Sequence, residues 1–216
     1  LVYATDEMLA DASALETWIM NNLPEELTFV VEDAMVNGTG VGMPLGILSA
    51  GMHIPVAKEV GQAADTVVSD NIVKMWSRLY NRSRGNAVWM IHQDVLPQLM
   101  LLDIGVGTGG MPVYTPPGGF SQAPYGTIFG RPVIESEYCQ TVGDLGDIIL
   151  ADWSEYQMIE KGGIQAASSI HVQFVYDETV FRFVYRVDGQ PKWNSALTPK
   201  NGTNTVQPFV ALAERA

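Results

Sequence analysis

The amino-acid sequence predicts an α+β fold, and three observations predict it. Leu15, Trp18, Ile19, Leu23, Leu27, Val30, Val31 and Ala34 recur at steps of three and four, the period of one face of a long amphipathic helix. Near the other end, Ile170, Val172, Phe174 and Tyr176 alternate with Ser169, His171, Gln173 and Val175, the period of a strand with one mainly apolar face. Between them, Ala87-Val88-Trp89-Met90-Ile91 is a short apolar run bounded by Gly85-Asn86 and His92-Gln93-Asp94, which suits a buried central strand.

Taken in order, the chain opens with Leu1-Val2-Tyr3, the end of a strand, so it is expected to be a processed or truncated piece of something longer. Thr5-Asp6-Glu7-Met8 then has the form of a helix start, with a Thr cap and two acids at the positive end of the dipole. Pro24 is expected to kink or split the long helix, because it removes one hydrogen bond and crowds the preceding turn. Three closely spaced glycines and Pro44 in the segment from Asn37 to Leu48 exclude helix and regular strand, so a tight loop of fixed shape follows.

A polar stretch leads to Val67 and to a second helix capped by Ser69 or Asp70, with Ile72, Val73, Met75, Trp76 and Leu79 on its apolar face. After the central strand comes a short helix through Leu96 and Leu99 to Leu102. The Gly and Pro density from Gly105 to Gly130 means hairpins and loops. Arg131-Pro132-Val133-Ile134 and the run from Asp147 to Asp152 are expected strands. Val180 to Val187 is another, with Phe181, Phe183, Tyr185 and Val187 on one face. A turn-rich segment from Gly189 to Gly202 precedes a last strand, Phe209-Val210-Ala211-Leu212.

Composition is that of a globular protein: 47% of residues are hydrophobic and 17% charged. The acids outnumber the bases 24 to 12, for a net charge of -12. Holding nucleic acid requires cations that replace the counterions of phosphate, so this balance disfavours specific DNA or RNA binding and adhesion to anionic membrane. The single cysteine, Cys139, excludes an intrachain disulfide and a cysteine-rich metal site, and fits synthesis in a reducing cytoplasm. No stretch approaches the roughly 20 apolar residues of a membrane span.

Several motifs invite a catalytic reading. Leu101-Leu102-Asp103-Ile104-Gly105-Val106-Gly107-Thr108-Gly109-Gly110 is similar to the glycine-rich first motif of S-adenosylmethionine-dependent methyltransferases, and Gly105, Gly107 and Gly110 satisfy G-x-G-x-x-G. That chemistry needs a buried strand before the glycines and a helix after them. Here Val95 to Leu102 favours helix, and Pro112, Pro116 and Pro117 forbid one downstream. A Gly-rich hairpin is the expected structure. Gly38 to Gly42 lacks the Lys and Ser or Thr of a phosphate loop.

His53, His92 and His171 form no metal-ligand spacing. Asp147, Asp152 and Glu155 are carboxylates with no nucleophile linked to them by a motif. Cys139 has no cationic neighbour in sequence to activate it. The expectation is therefore a non-enzyme with no catalytic, cofactor-binding or metal residues and no cofactor.

Five segments, in order, resemble the Hong Kong 97-type major capsid proteins of tailed bacteriophages. They are the helix end and loop from Glu32 to Leu48, Ala87 to Met90, Phe129 to Val133, Gly146 to Tyr156, and Phe181 to Pro191. The resemblance implies a peripheral domain of long spine helix and long β-sheet, assigned to 1–48 and 168–216. It also implies an axial domain of mixed sheet flanked by helices, assigned to 49–167, with the Gly-rich hairpin from Gly105 to Phe120 as an exposed loop.

The implied function is that of a structural subunit of an icosahedral phage or prophage capsid, made in the bacterial cytoplasm and enclosing double-stranded DNA in the virion. Its implied partners are copies of itself in pentamers and hexamers, with scaffolding, portal and maturation-protease proteins beside them. The acidic charge suits a shell that encloses DNA without adhering to it. The family's N-terminal arm and extended loop have no counterpart here, so no crosslinking residue is assigned and these 216 residues alone are expected to stay soluble without building closed shells. The alternatives are an encapsulin-like compartment shell and a methyltransferase using Gly105 to Gly110.

Overall fold

The structure, a computed structural model, describes residues 1–12, 14–106, 109–114 and 126–216. Its centre is a six-stranded mixed sheet. The strands are β2 (Ile54–Val56), β3 (Val88–Ile91), β6 (Thr127–Ile128), β7 (Arg131–Glu135), β8 (Ile148–Ala151) and β13 (Phe209–Leu212), in the order β2-β13-β8-β3-β7-β6. β2 and β13 are parallel, as are β3 and β7, and the other pairs are antiparallel. β8, β3 and β13 read as continuous apolar runs because both faces are covered.

One face carries Trp89, Ile91, Ile148, Leu150, Val210 and Leu212. It packs against Ile72, Met75 and Leu79, on or just after α3 (Ser69–Arg78), and against Leu99 of α4 (Leu96–Leu101). The other face presents Met90, Ile149, Ala151 and Phe209 to Val36, Ile47 and Tyr156. Trp89 is fully buried, and its indole N–H donates to Ile128 O at 3.1 Å.

A second sheet has three strands, with β1 (Val2–Thr5) and β10 (Gln165–Gln173) flanking β11 (Glu178–Val184) antiparallel, and β9 (Tyr156–Glu160) pairs with β12 (Val187–Pro191) in a separate two-stranded ladder. One face of the first ladder buries Phe181 against Ile19 and Leu15 of α2 (Leu15–Asn37) and Leu9 of α1 (Asp6–Asp11). Burying such a ring stabilises the contact by about 1.5–3 kcal/mol.

The helix break lies elsewhere than at Pro24. α2 runs unbroken through Pro24, whose carbonyl accepts from Thr28 Oγ1 at 3.0 Å, so one missing bond in 23 residues is absorbed. The break falls between Asp11 and Leu15 instead. α1 is tied to the sheet by Asp6 N to Asp177 O (3.0 Å) and Thr179 Oγ1 to Asp6 Oδ1 (2.6 Å). Leu9 of α1 and Leu15 of α2 both pack against the cluster of Ala4, Ile19 and Phe181. Thr5 caps α1 as expected, accepting from Met8 N at 3.3 Å.

Other expectations are corrected by pairing. The cap of α3 is Val68, one residue earlier, whose N–H donates to Asn71 Oδ1 (3.1 Å), while Gln62 holds that amide. The strand expected through Tyr176 ends at Gln173; Phe174–Tyr176 is a 3-10 turn closed by Asp177 at φ 55. The expected strand from Val180 to Val187 is two strands. β10 begins at Gln165, opposite Val184, so the ladder has no partner beyond, and Val187 onward pairs with β9. The turn-rich segment therefore begins as strand. The Gly-rich region contains a hairpin, β4 (Asp103–Val106) on β5 (Gly109–Pro112), while residues 107–108 and 115–120 of the expected loop lie outside the described residues.

Asp147 and Arg215 close the central sheet. Both are fully buried, with Arg215 Nη1 3.1 Å from Asp147 Oδ1 and Nη2 bonded to Oδ2. Gly143 N also donates to Asp147, at 3.1 Å, and Arg215 Nε donates to Thr66 O at 2.8 Å. Arg215→Met leaves a buried carboxylate without its cation, and equilibrium urea unfolding is expected to show a loss of about 3–5 kcal/mol.

Candidate assembly surfaces

The segment from Asn37 to Leu48 joins the long helix to the sheet. The last carbonyls of a helix lack partners within it. Here Gly38 N donates to Ala34 O (2.8 Å), Ile47 N to Met35 O (3.0 Å) and Leu48 N to Val36 O (3.0 Å), so the loop folds back and satisfies them. Gly40 and Gly42 take φ of 77 and 72, which reverses the chain. Gly46 N to Gly38 O (2.8 Å) and Ser49 Oγ to Gly38 O (2.8 Å) then hold the reversal, and Leu45 N reaches Gly189 O of β12 (2.8 Å).

A Cβ on Gly38 would lie 2.2 Å from Pro44 O, and one on Gly46 2.5 Å from Val36 O, so both positions require glycine. Asn37 ties the helix end sideways: its amide donates to Tyr138 O (2.9 Å) and Asp33 Oδ1 (2.8 Å). Tyr138 in turn donates to Glu32 Oε2 at 2.6 Å. Burial and that carboxylate push the Tyr138 hydroxyl up to about 12, with Glu137 and Asp33 adding to the shift.

Among the described residues, two apolar surfaces have no cover. On α2, Trp18 and Val30 are each 62% exposed, although both belong to the helix's apolar repeat. On the second sheet, Ile170 and Val172 of β10 lead to a tip where Phe174 is 76% and Val175 89% exposed. A contiguous apolar patch on a folded chain marks a contact surface. Between α2 and the sheet lies a groove of about 630 Å³, lined by Phe29, Met35, Val88, Met90, Tyr138 and Trp153 among others.

The residues singled out for chemistry are scattered. Gly105 and Gly110 pair directly across an antiparallel hairpin, so neither the strand-to-helix turn nor the helix N-terminus of a cofactor loop is formed there; Gly107 lies outside the described residues. Asp147 is bound by Arg215. Asp152 caps a 3-10 turn through Ser154 N (3.1 Å) and Oγ (2.6 Å), and Glu155 pairs with Lys192 (3.7 Å) and Trp193 Nε1 (3.2 Å).

His53 Nδ1 sits 3.1 Å from Ile47 O, its pKa lowered by burial, while His92 lies 3.4 Å from Asp94 and His171 is exposed on β10. Burial pushes the Cys139 thiol up to about 12, with the Asp147 charge adding to it. Among the described residues no group of His, Cys, Asp and Glu is placed to hold a metal ion, and no helix is long and apolar enough to cross a membrane. The uncovered faces of α2 and β10 are what sequence reasoning missed: their signal was apolar periodicity, which it read as secondary structure alone.

The sequence profile of the phage capsid family matches residues 1–201. The chain belongs to that family. As a member of the phage capsid family it is a structural subunit of a capsid shell. Among solved structures, it is similar to the capsid of an empty GTA particle (TM-score 0.78, 18% identity, all of this chain and 71% of the other). It is also similar to that of a native GTA particle (TM-score 0.76, 18% identity, the same shares). A third likeness is to Gordonia phage Cozz (TM-score 0.61, 12% identity, 98% of this chain and 67% of the other). At these identities the likeness is one of fold. No curated protein matches the chain.

In the capsid chain the helix-to-sheet junction is a rigid joint, and its glycines are its weak points. Gly46→Ala is expected to lower stability by about 1–3 kcal/mol through overpacking. Gly85→Ala, where a Cβ meets nothing within 4 Å, is expected to change it by less than about 0.5 kcal/mol. Thermal unfolding of the two variants side by side checks the contrast.

Proposed function

We propose that this chain is the tile of an icosahedral shell that encloses double-stranded DNA, joined to further copies in pentamers and hexamers and having no catalytic site of its own. The observation that carries this reading is the pairing of a fully formed core with apolar surfaces on α2 and β10 that none of the described residues covers. The capsid assemblies among its structural neighbours support it.

On this reading α1, α2, β1, β10 and β11 form the peripheral part and the six-stranded sheet with α3 and α4 the axial part. β13, grouped by sequence with 168–216, goes with the axial part, because it lies between β2 and β8. Scaffolding, portal and maturation-protease proteins are the heterologous partners this role requires.

Electron microscopy of the complete gene product is expected to show closed particles. Trp18→Asp with Phe174→Asp is expected to abolish them while leaving the melting temperature of the 216-residue chain near its original value. Particles that persist in the double variant would remove the role assigned to these faces. Equilibrium dialysis against S-adenosylmethionine is expected to detect no micromolar binding. Binding that Gly105→Trp eliminates would restore the enzymatic alternative.

A further inference from the structure

Charge is segregated along the chain and the fold turns that segregation into two poles. Residues 1–57 and 135–160 contain no Lys or Arg. Residues 71–93, 104–134 and 189–213 contain no Asp or Glu, yet hold Lys74, Arg78, Arg82, Arg84, Arg131, Lys192 and Lys200, seven of the twelve basic residues. β3 and β7 run parallel, so their beginnings share one end of the sheet and their ends share the other, roughly 15 Å away at strand rise.

The basic end is built at the beginnings. Arg131 Nη1 bonds Gly85 O, at the close of the 3-10 turn Asn81–Gly85. Arg78 Nη2 donates to Thr205 Oγ1 (2.9 Å), and Leu79 forms a bridge with Gln207. Arg84 lies over Trp76 at 5.3 Å, and Trp76 stacks on Phe129 at 5.3 Å. Arg84, Asn81, Trp193 and Lys200 line a hollow of about 520 Å³, and Arg82 and Lys200 are exposed. Glu155 borders this end through Trp193 and is engaged by Lys192.

The acidic end is built where the strands finish. Glu135, Glu137 and Asp94 are exposed there, and α2 adds Glu32 through Tyr138. A hollow of about 440 Å³ is lined by His92, Gln93, Glu135, Ser136 and Glu137. Glu135 and Glu137 line this hollow beside His92, and Asp94 lies 3.4 Å from the His92 ring, so cationic side chains from outside offset a concentration of negative charge.

We propose that these poles are the two halves of a head-to-tail contact between copies of this chain, with Arg82 and Lys200 of one copy seated on Glu135, Glu137 and Asp94 of the next. The contact rests on the shell-subunit reading and deepens it. Two different patches on each copy make a heterologous interface, the kind that closes into a ring when its rotation permits. Opposed charge steers the encounter and fixes its register. Nucleic acid fits the basic end less well: Arg78, Arg84 and Arg131 are already turned onto their own chain, and the whole carries -12.

The test joins copies at their touching charges. An equal mixture of 15N-labelled and unlabelled chain, treated with a zero-length carbodiimide at low salt, is expected to yield mixed-isotope peptides linking Lys200 to Glu135 or Glu137. In sedimentation, Arg82→Glu with Lys200→Glu, and separately Glu135→Lys with Glu137→Lys, are each expected to weaken self-association by about tenfold, and mixing the two variants to restore it.

Inter-copy links confined to other residues, with both variants unaffected, would overturn this contact and leave the shell reading standing. Absence of self-association would also overturn the contact, the shell reading then resting on the particle experiment. Retention of a DNA duplex by the unaltered chain at the same salt, lost in the Arg82 and Lys200 variant without loss of self-association, would assign the basic end to nucleic acid instead.

Discussion

The structure depends on how the C-terminal end of α2 is finished. Three backbone amides from the following loop reach back to carbonyls of the last turn, and Val36 and Ile47 are thereby delivered as neighbours onto one face of the six-stranded sheet. Without that closure the carbonyls would have to be solvated and the helix end would stay away from the sheet. With it, a 23-residue helix projects from the sheet in one fixed direction. The hydrogen bonds of Asn37 and of Leu45 brace the joint from two sides.

Burial is unevenly distributed around this joint. The six-stranded sheet is covered on both faces and closed by the Asp147 and Arg215 pair, so it holds most of the buried apolar side chains. The second sheet has one small cluster around Phe181 and leaves β10 and its tip in solvent. Uncovered apolar surface of this kind is costly to a monomer and useful to a shell, because a neighbour's surface removes it from water. The outward face of α2 belongs to the same economy of exposure: its apolar repeat is longer than its own domain can bury.

The elements legible in sequence were those with local causes. The glycines and Pro44 after α2, the Thr5 cap, the apolar run of β3 and the alternation of β10 each announce their structure within a few residues. β2, β9 and β12 did not, since runs of three to five residues, with Pro55 in β2 and Gly189 and Pro191 in β12, become strand only when a distant partner supplies the ladder. The helix break was misplaced for a related reason. Pro24 carries a visible local penalty, whereas Ala12 and Ala14 are good helix formers, and the tie of Asp6 to Asp177 and Thr179 that anchors α1 joins residues far apart in sequence. Of the candidate surfaces, the joint was legible in outline and the charge poles were not, because poles arise from parallel pairing of β3 and β7.

The place of β13 has a consequence in time. Ile54 of β2 pairs with Val210 and with no other strand, and β8 meets β13 along its free side. The joint after α2 is braced by Tyr138 and Gly189, and the sheet beneath it stays open until the residues around 210 have been made. Closing the sheet therefore joins segments far apart in the chain, Ile54 with Val210.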